Sequence, residues 1–216
     1  FGSSFNPQVY QFEKSHPDQV RTYEKRFLEY FNVATPEAVM SWKSWENPEI
    51  RACLMRAMDF LAAHEVPVIG HPLVWQAPKT LPESLHTLIR EKDFPTYLAR
   101  WNAHLAEKVD AMRGRFCEHL VINEFVDTNF LPPAMTDDAI VGWYRLVRER
   151  DPNARLGILE HKMICNGAVE ADKTLPWYES KIEMLLKNQV PLDLIAFQGH
   201  YRDHLTEPER LLEILD

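Results

Sequence analysis

The stretch HLVINEFVD, residues 119–127, decides the fold. Its apolar run, Leu120, Val121 and Ile122, delivers Asn123 and Glu124 as a polar pair. Runs rich in β-branched residues read as buried strands that stop where polar residues take over. In an α/β barrel that polar end is where chemistry collects, because the loops after the strands form the open face. A carboxylate beside an amide suits work on a glycosidic bond, Glu124 moving a proton and Asn123 hydrogen-bonding a sugar hydroxyl. The dipeptide alone decides nothing, since many strands end in Asn-Glu without a catalytic role.

Outward from it, the same beat repeats. Upstream, VPVIGHPLVW (66–75) reads as a strand ending on Gly70-His71-Pro72, a turn that exposes His71 and places Trp75 just beyond. A Pro-rich loop, QAPKTLPESL (76–85), follows, long enough to shape a cleft, and then a helix from about Pro95 to Met112. Earlier still come a strand at FGSSF (1–5) and a helix over Pro17–Tyr30, with Val20, Tyr23 and Phe27 on one face. A second strand, FNVATPE (31–37), and a helix over Pro48–Glu65 complete this half.

Downstream, Thr136 and Asp137 open a helix to about Arg150, ARLGILEHK (154–162) is a strand, and Leu175–Asn188 is a helix. In that helix Thr174 is the expected N-cap and Pro176 sits in the first turn. PLDLIAFQGHYRD (191–203) is the last strand, ending on Gln198 and His200, and LTEPERLLEILD (205–216) opens a last helix. Six strand–helix units with polar strand ends predict a parallel sheet with helices outside. They read as a (β/α)₈ barrel with about six of its eight units, a single C-terminally incomplete domain over 1–216.

Composition narrows the function classes. A net charge of −8 argues against nucleic acid as a partner, since phosphate contacts need clustered Lys and Arg. No apolar run approaches the roughly 20 residues that span a bilayer, so no membrane partner is expected. No leader pattern stands at Phe1, which says little because a leader is removed on export. Cys53, Cys117 and Cys165 are too few and too scattered for a disulfide framework or a metal cluster, and are expected to be buried thiols.

Five stretches together resemble glycoside hydrolase family 10, the retaining endo-β-1,4-xylanases. FNVATPEAVMSW (31–42) is similar to that family's T-x-E-N-x-M-K-W, VIGHPLVWQ (68–76) to G-H-x-L-V-W-H, and HLVINEF (119–125) to W-D-V-V-N-E. RERDPNARLGILEHK (148–162) resembles A-R-x-x-D-P-x-A-K-L-Y-I-N-D-Y-N, and VPLDLIAFQGHY (190–201) resembles V-P-I-D-G-I-G-F-Q-x-H. The set is in order, at family-like spacing, and covers the chain from about Phe1 to its end.

The resemblance implies a (β/α)₈ barrel acting on xylan or a related plant or marine β-glycan, secreted or periplasmic, with no cofactor. By it, Glu124 is the acid/base and Asn123 contacts the 2-hydroxyl beside the scissile bond. His71 and Trp75 line the non-reducing side, and Gln198 and His200 support the nucleophile. That nucleophile, a Glu at the end of strand seven, matches no residue here, so it is expected from a further C-terminal segment or a second chain. Glu37 is read as a binder of a sugar hydroxyl, against a solvated strand-end carboxylate. Trp42, Trp101, Trp143 and Trp177 are expected to pack.

The resemblance departs at Ala38 and Ser41, where the family has Asn and Lys gripping the sugar one subsite further from the cut, with Lys43 as a candidate substitute amine. It departs again at Gln76, and at Gly157, Leu159 and Glu160 in place of Tyr, Asn and Asp. The fold signature survives better than the substrate-binding signature. A non-catalytic carbohydrate-binding relative is therefore the rival reading, and a bare fragment associating through open strand edges is another. A metal site from His71, His161 and His200 is the weakest, because that spacing matches no local ligand pattern.

Overall fold

Parallel pairing in chain order builds the structure. The computed structural model describes residues 1–124, 136–161, 163–164, 168–199 and 206–215, with the backbone alone at 37–38 and 168–171. Its first half comprises β1 (Gly2–Ser4), α1 (Pro17–Tyr30), β2 (Val33–Thr35), α2 (Trp42–Glu46) and α3 (Pro48–Ala63). There follow β3 (Ile69–Gly70), β4 (Val74–Trp75), α4 (Glu83–Glu91) and α5 (Phe94–Met112). The second half holds β5 (Glu118–Asn123), α6 (Asp137–Arg150), β6 (Arg155–Glu160), α7 (Ala168–Lys187), β7 (Leu194–Phe197) and α8 (Pro208–Leu215).

β1 pairs with β2, β3 and β4 both pair with β5, β5 with β6 and β6 with β7, every pair parallel. A parallel bridge from Ala34 to Val68 links the first pair to the rest. With β3 and β4 taken together as one interrupted strand, each new strand lies beside its predecessor with helices between, as in the wall of a (β/α)₈ barrel. Among the described residues the sheet does not close.

Capping explains where several helices begin. The Asn47 side-chain Oδ1 accepts from the backbone N–H of Glu49 and Ile50 at the start of α3, and the Asp93 carboxylate accepts from the backbone N–H of Thr96 at α5. Thr136 accepts from Ala139 at α6, as the sequence predicts.

Four expectations need correction. The strand over 66–75 is two short ones, because Pro72 has no N–H to give the ladder; Leu73 N resumes it by donating to Leu120 O at 3.3 Å. Part of the 76–85 loop is already helix α4, whose Leu85 is fully buried. α7 starts at Ala168, with Pro176 inside it rather than in its first turn, and Thr174 is a buried helix residue rather than a cap. Of the thiols, Cys53 is buried but Cys117 is exposed, while Cys165 lies outside the described residues.

The core explains one sequence departure. A Cβ on Gly157 would stand 2.6 Å from the Leu194 side chain, so β6 and β7 approach here only because position 157 is bare. Trp42, Trp101 and Trp143 are buried, with Trp42 stacked on the His104 imidazole at 3.8 Å and 4°. Burial pushes that imidazole down to about 2, so it stays neutral. Trp177 is partly buried against the core, with the Lys181 ammonium 5.6 Å from its ring centre.

Lys108 of α5 is completely buried. Its ammonium donates to Met40 O and to Leu73 O at 2.7 Å, and reaches Pro72 O at 3.3 Å. One cation thus ties the segment after β2 to the segment between β3 and β4.

Candidate active site

The end of β5 is irregular where it matters. Register shifts between Leu120 and Ile122, leaving Val121 as an extra residue against β6. Such a bulge re-aims the side chains that follow it. Glu124 then turns into the left-handed region at φ 56°. A non-glycine residue held there costs on the order of 1–3 kcal/mol and persists only where its surroundings over-determine it.

Those surroundings are specific. Trp75 Nε1 donates to Glu124 Oε2 at 2.8 Å, and Gln198 Nε2 donates to Glu124 Oε1 at 2.9 Å. Gln198 Nε2 also lies 2.9 Å from Asn123 Oδ1, and the backbone N–H of Glu124 donates to Leu159 O at 3.2 Å. Both carboxylate oxygens are therefore fixed by groups from β4 and from the end of β7, while the side chain stays 22% exposed. A carboxyl held yet open can exchange a proton with a bound molecule.

The space it faces is a cleft of about 450 Å³. His71, Trp75, Asn123, Glu124 and Gln198 all line it, with Thr35 and Phe197 among the other walls. Asn123 is buried and His71 partly so. Glu124 is the one carboxylate lining the cleft among the described residues. Of the remaining sequence candidates, His200 lies outside the described residues, and so does the side chain of Glu37.

The sequence marks Glu160 only as a departure from the family pattern and His161 only as a weak metal-ligand candidate, and the structure sets them beside the cleft. Glu160 is fully buried; its Oε1 accepts from the backbone N–H of His161 at 2.7 Å and lies 3.1 Å from His161 Nδ1. His161 Nδ1 is in turn 3.9 Å from Glu124 Oε1. An imidazole between two carboxylates is a through-space link that no hydropathy pattern reveals.

The family model for glycosyl hydrolase family 10 matches residues 5–215. Similar solved structures include a family 10 endoxylanase retrieved from a sugarcane soil metagenome, at 19% identity and TM-score 0.76 over 99% of this chain and 61% of that one. A family 10 structure from Paenibacillus barcinonensis has 20% identity and TM-score 0.75, covering 99% and 64%. Xylanase 10B from Thermotoga petrophila, in complex with xylobiose, has 23% identity and TM-score 0.68, covering 93% and 59%.

No curated protein matches the chain. The chain spans roughly three-fifths of the length of these solved relatives, 61%, 64% and 59% in turn, and at such identities the likeness is one of fold. With the family model matched over nearly its whole length, the chain belongs to glycoside hydrolase family 10.

Proposed function

We propose that this protein is a retaining glycoside hydrolase that cleaves internal β-1,4 linkages of xylan or a related β-glycan. Glu124 is its general acid/base, protonating the glycosidic oxygen and then taking a proton from the incoming water. The observation that carries this reading is the fixing of both Glu124 oxygens, by Trp75 and Gln198, in a left-handed backbone position at a cleft. Asn123 contacts the sugar 2-hydroxyl, and His71 and Trp75 line the non-reducing side. Glu37 binds a sugar hydroxyl, and Gln198 and His200 support the nucleophile.

Retention requires a second carboxyl about 5–5.5 Å from the first. We place that nucleophile outside these 216 residues, in a further segment or a second chain. The substrate class is supported by the xylanase relatives, one of them bound to xylobiose. The secreted or periplasmic setting is supported by membership of the family; no helix among the described residues is long and apolar enough to cross a membrane.

The rival is a non-catalytic carbohydrate-binding relative, favoured by the single carboxylate lining the cleft among the described residues. Once the segment or chain that supplies the nucleophile is present, incubation with β-1,4-xylan separates the two readings. Release of new reducing ends is the expected result, whereas oligosaccharide binding without products supports the rival.

A further inference from the structure

Trp75 lines two cavities. One is the Glu124 cleft; the other, of about 400 Å³, is bordered by Asn6, Ser41, Lys43, Ser44 and Lys79. Lys79 Nζ stands 5.3 Å from the centre of the Trp75 ring, and Lys43 Nζ donates to Lys79 O at 3.1 Å. Both lysines are exposed at the rim of this space, with the Lys43 amine anchored by that bond and the Lys79 amine over the indole.

The charge balance here runs against that of the chain. The sequence carries 32 acidic residues to 24 basic ones, yet among the described residues no carboxylate lines this cavity. Neither lysine is ion-paired among those residues, and the nearby Glu83 carboxylate is already taken by Arg90 at 2.8 Å. The side chain at position 41 is a short, buried Ser, which leaves the space open between Lys43 and the indole. Two unpaired ammonium groups amid hydroxyl and amide groups, one wall away from a sugar-sized cleft, form a receptor for negative charge on a polyhydroxylated chain.

Resting on the glycan reading above, we propose that this second cavity is a subsite for an anionic substituent of the glycan, a uronic carboxylate or a sulfate ester. Lys43 and Lys79 are the cations that recognise it, and Trp75 is the wall between backbone sugar and substituent. Such a substituent distinguishes the natural substrate from plain xylan.

Titration calorimetry of the intact protein tests this with three ligands: xylotetraose, a glucuronic-acid-substituted xylotetraose and a sulfated one. At low salt an acidic ligand should bind about five- to tenfold tighter than the neutral one, as expected for partly exposed charge pairs. The advantage should shrink at about 0.5 M NaCl, where screening is short-ranged. In the double variant K43Q/K79Q the acidic-to-neutral ratio should fall to about one. Whichever anion shows the larger ratio identifies the source. Neutral binding with a ratio of about one in the wild type overturns the subsite and leaves the glycan reading standing, as does a ratio that survives in the double variant. If none of the three binds, the glycan reading itself fails and takes the subsite with it.

Discussion

With the segment or chain that supplies the nucleophile present, turnover on β-1,4-xylan is expected to fall by about 10²–10⁴-fold in the Glu124→Gln variant, the usual contribution of one positioned general acid/base. Gln is nearly the same size and keeps one oxygen to accept from Trp75 or Gln198, so the fold and the cleft should survive. What it cannot do is give up a proton. Loss should therefore depend on the leaving group. An aryl glycoside with an acidic phenol departs without protonation, and its first step should be slowed far less than that of xylan. Substrate affinity should change little, because the carboxyl acts on the transition state more than on the bound sugar. The value of kcat/KM on both substrates, which reports the first step alone, checks the point. An equal loss on both would mean that Glu124 binds rather than protonates.

The second large effect is on stability. Replacing Lys108 by Met should cost about 2 kcal/mol at pH 7, measured by urea unfolding. Three carbonyls lose their donor, each worth about 1–3 kcal/mol when orphaned, and this outweighs the several kcal/mol saved by no longer desolvating an ammonium. The pH dependence gives a sharper test. Burial pulls the Lys108 amine down to about 7, although the carbonyls of Met40, Pro72 and Leu73 oppose the release of its proton. Between that value and the ordinary lysine range, the unfolded chain binds a proton that the folded chain gives up.

Wild-type stability from this group therefore rises with pH across that window and is lost as pH falls toward 7. The variant lacks the rise, so its deficit should be larger at pH 9 than at pH 7, by up to about 1.4 kcal/mol per pH unit. An identical deficit at both pH values would mean that Lys108 stays charged throughout. The consequence reaches the site, since Met40 sits between residues lining the second cavity and Pro72 follows His71 of the cleft.

What the sequence exposes and what it hides divide along physical lines. Asn123 and Glu124 are legible because the buried strand β5 ends in an abrupt change of polarity, and Gln198 because the apolar run of β7 ends in the same way, which is a local signal. Helix starts at Pro48 and Asp137 are legible because a cap is written within three residues of the first turn. α7 is not, because Pro176 ordinarily marks a first turn, while here the helix continues through it. The split into β3 and β4 is hidden for the opposite reason: Leu73, Val74 and Trp75 after Pro72 still look like the continuation of one strand.

Long-range facts leave no local trace at all. A lysine midway along an amphipathic helix looks solvent-facing until Met40 and Leu73 arrive from elsewhere in the chain to meet Lys108. The extra residue at Val121 and the left-handed turn at Glu124 depend on how β5 registers against β6. Lys43 was legible as a candidate amine, but its pairing with Lys79 across 36 residues was not.

The most direct test of the central claim is the anomeric configuration of the first product released from a β-1,4-xylo-oligosaccharide with the nucleophile-bearing segment or chain present, followed by proton NMR before mutarotation. The β-anomer should appear first, as two carboxyl groups acting in succession on opposite faces of the sugar require. First appearance of the α-anomer would contradict the account, because it would make Glu124 part of a single-displacement site in which no second carboxylate attacks the sugar.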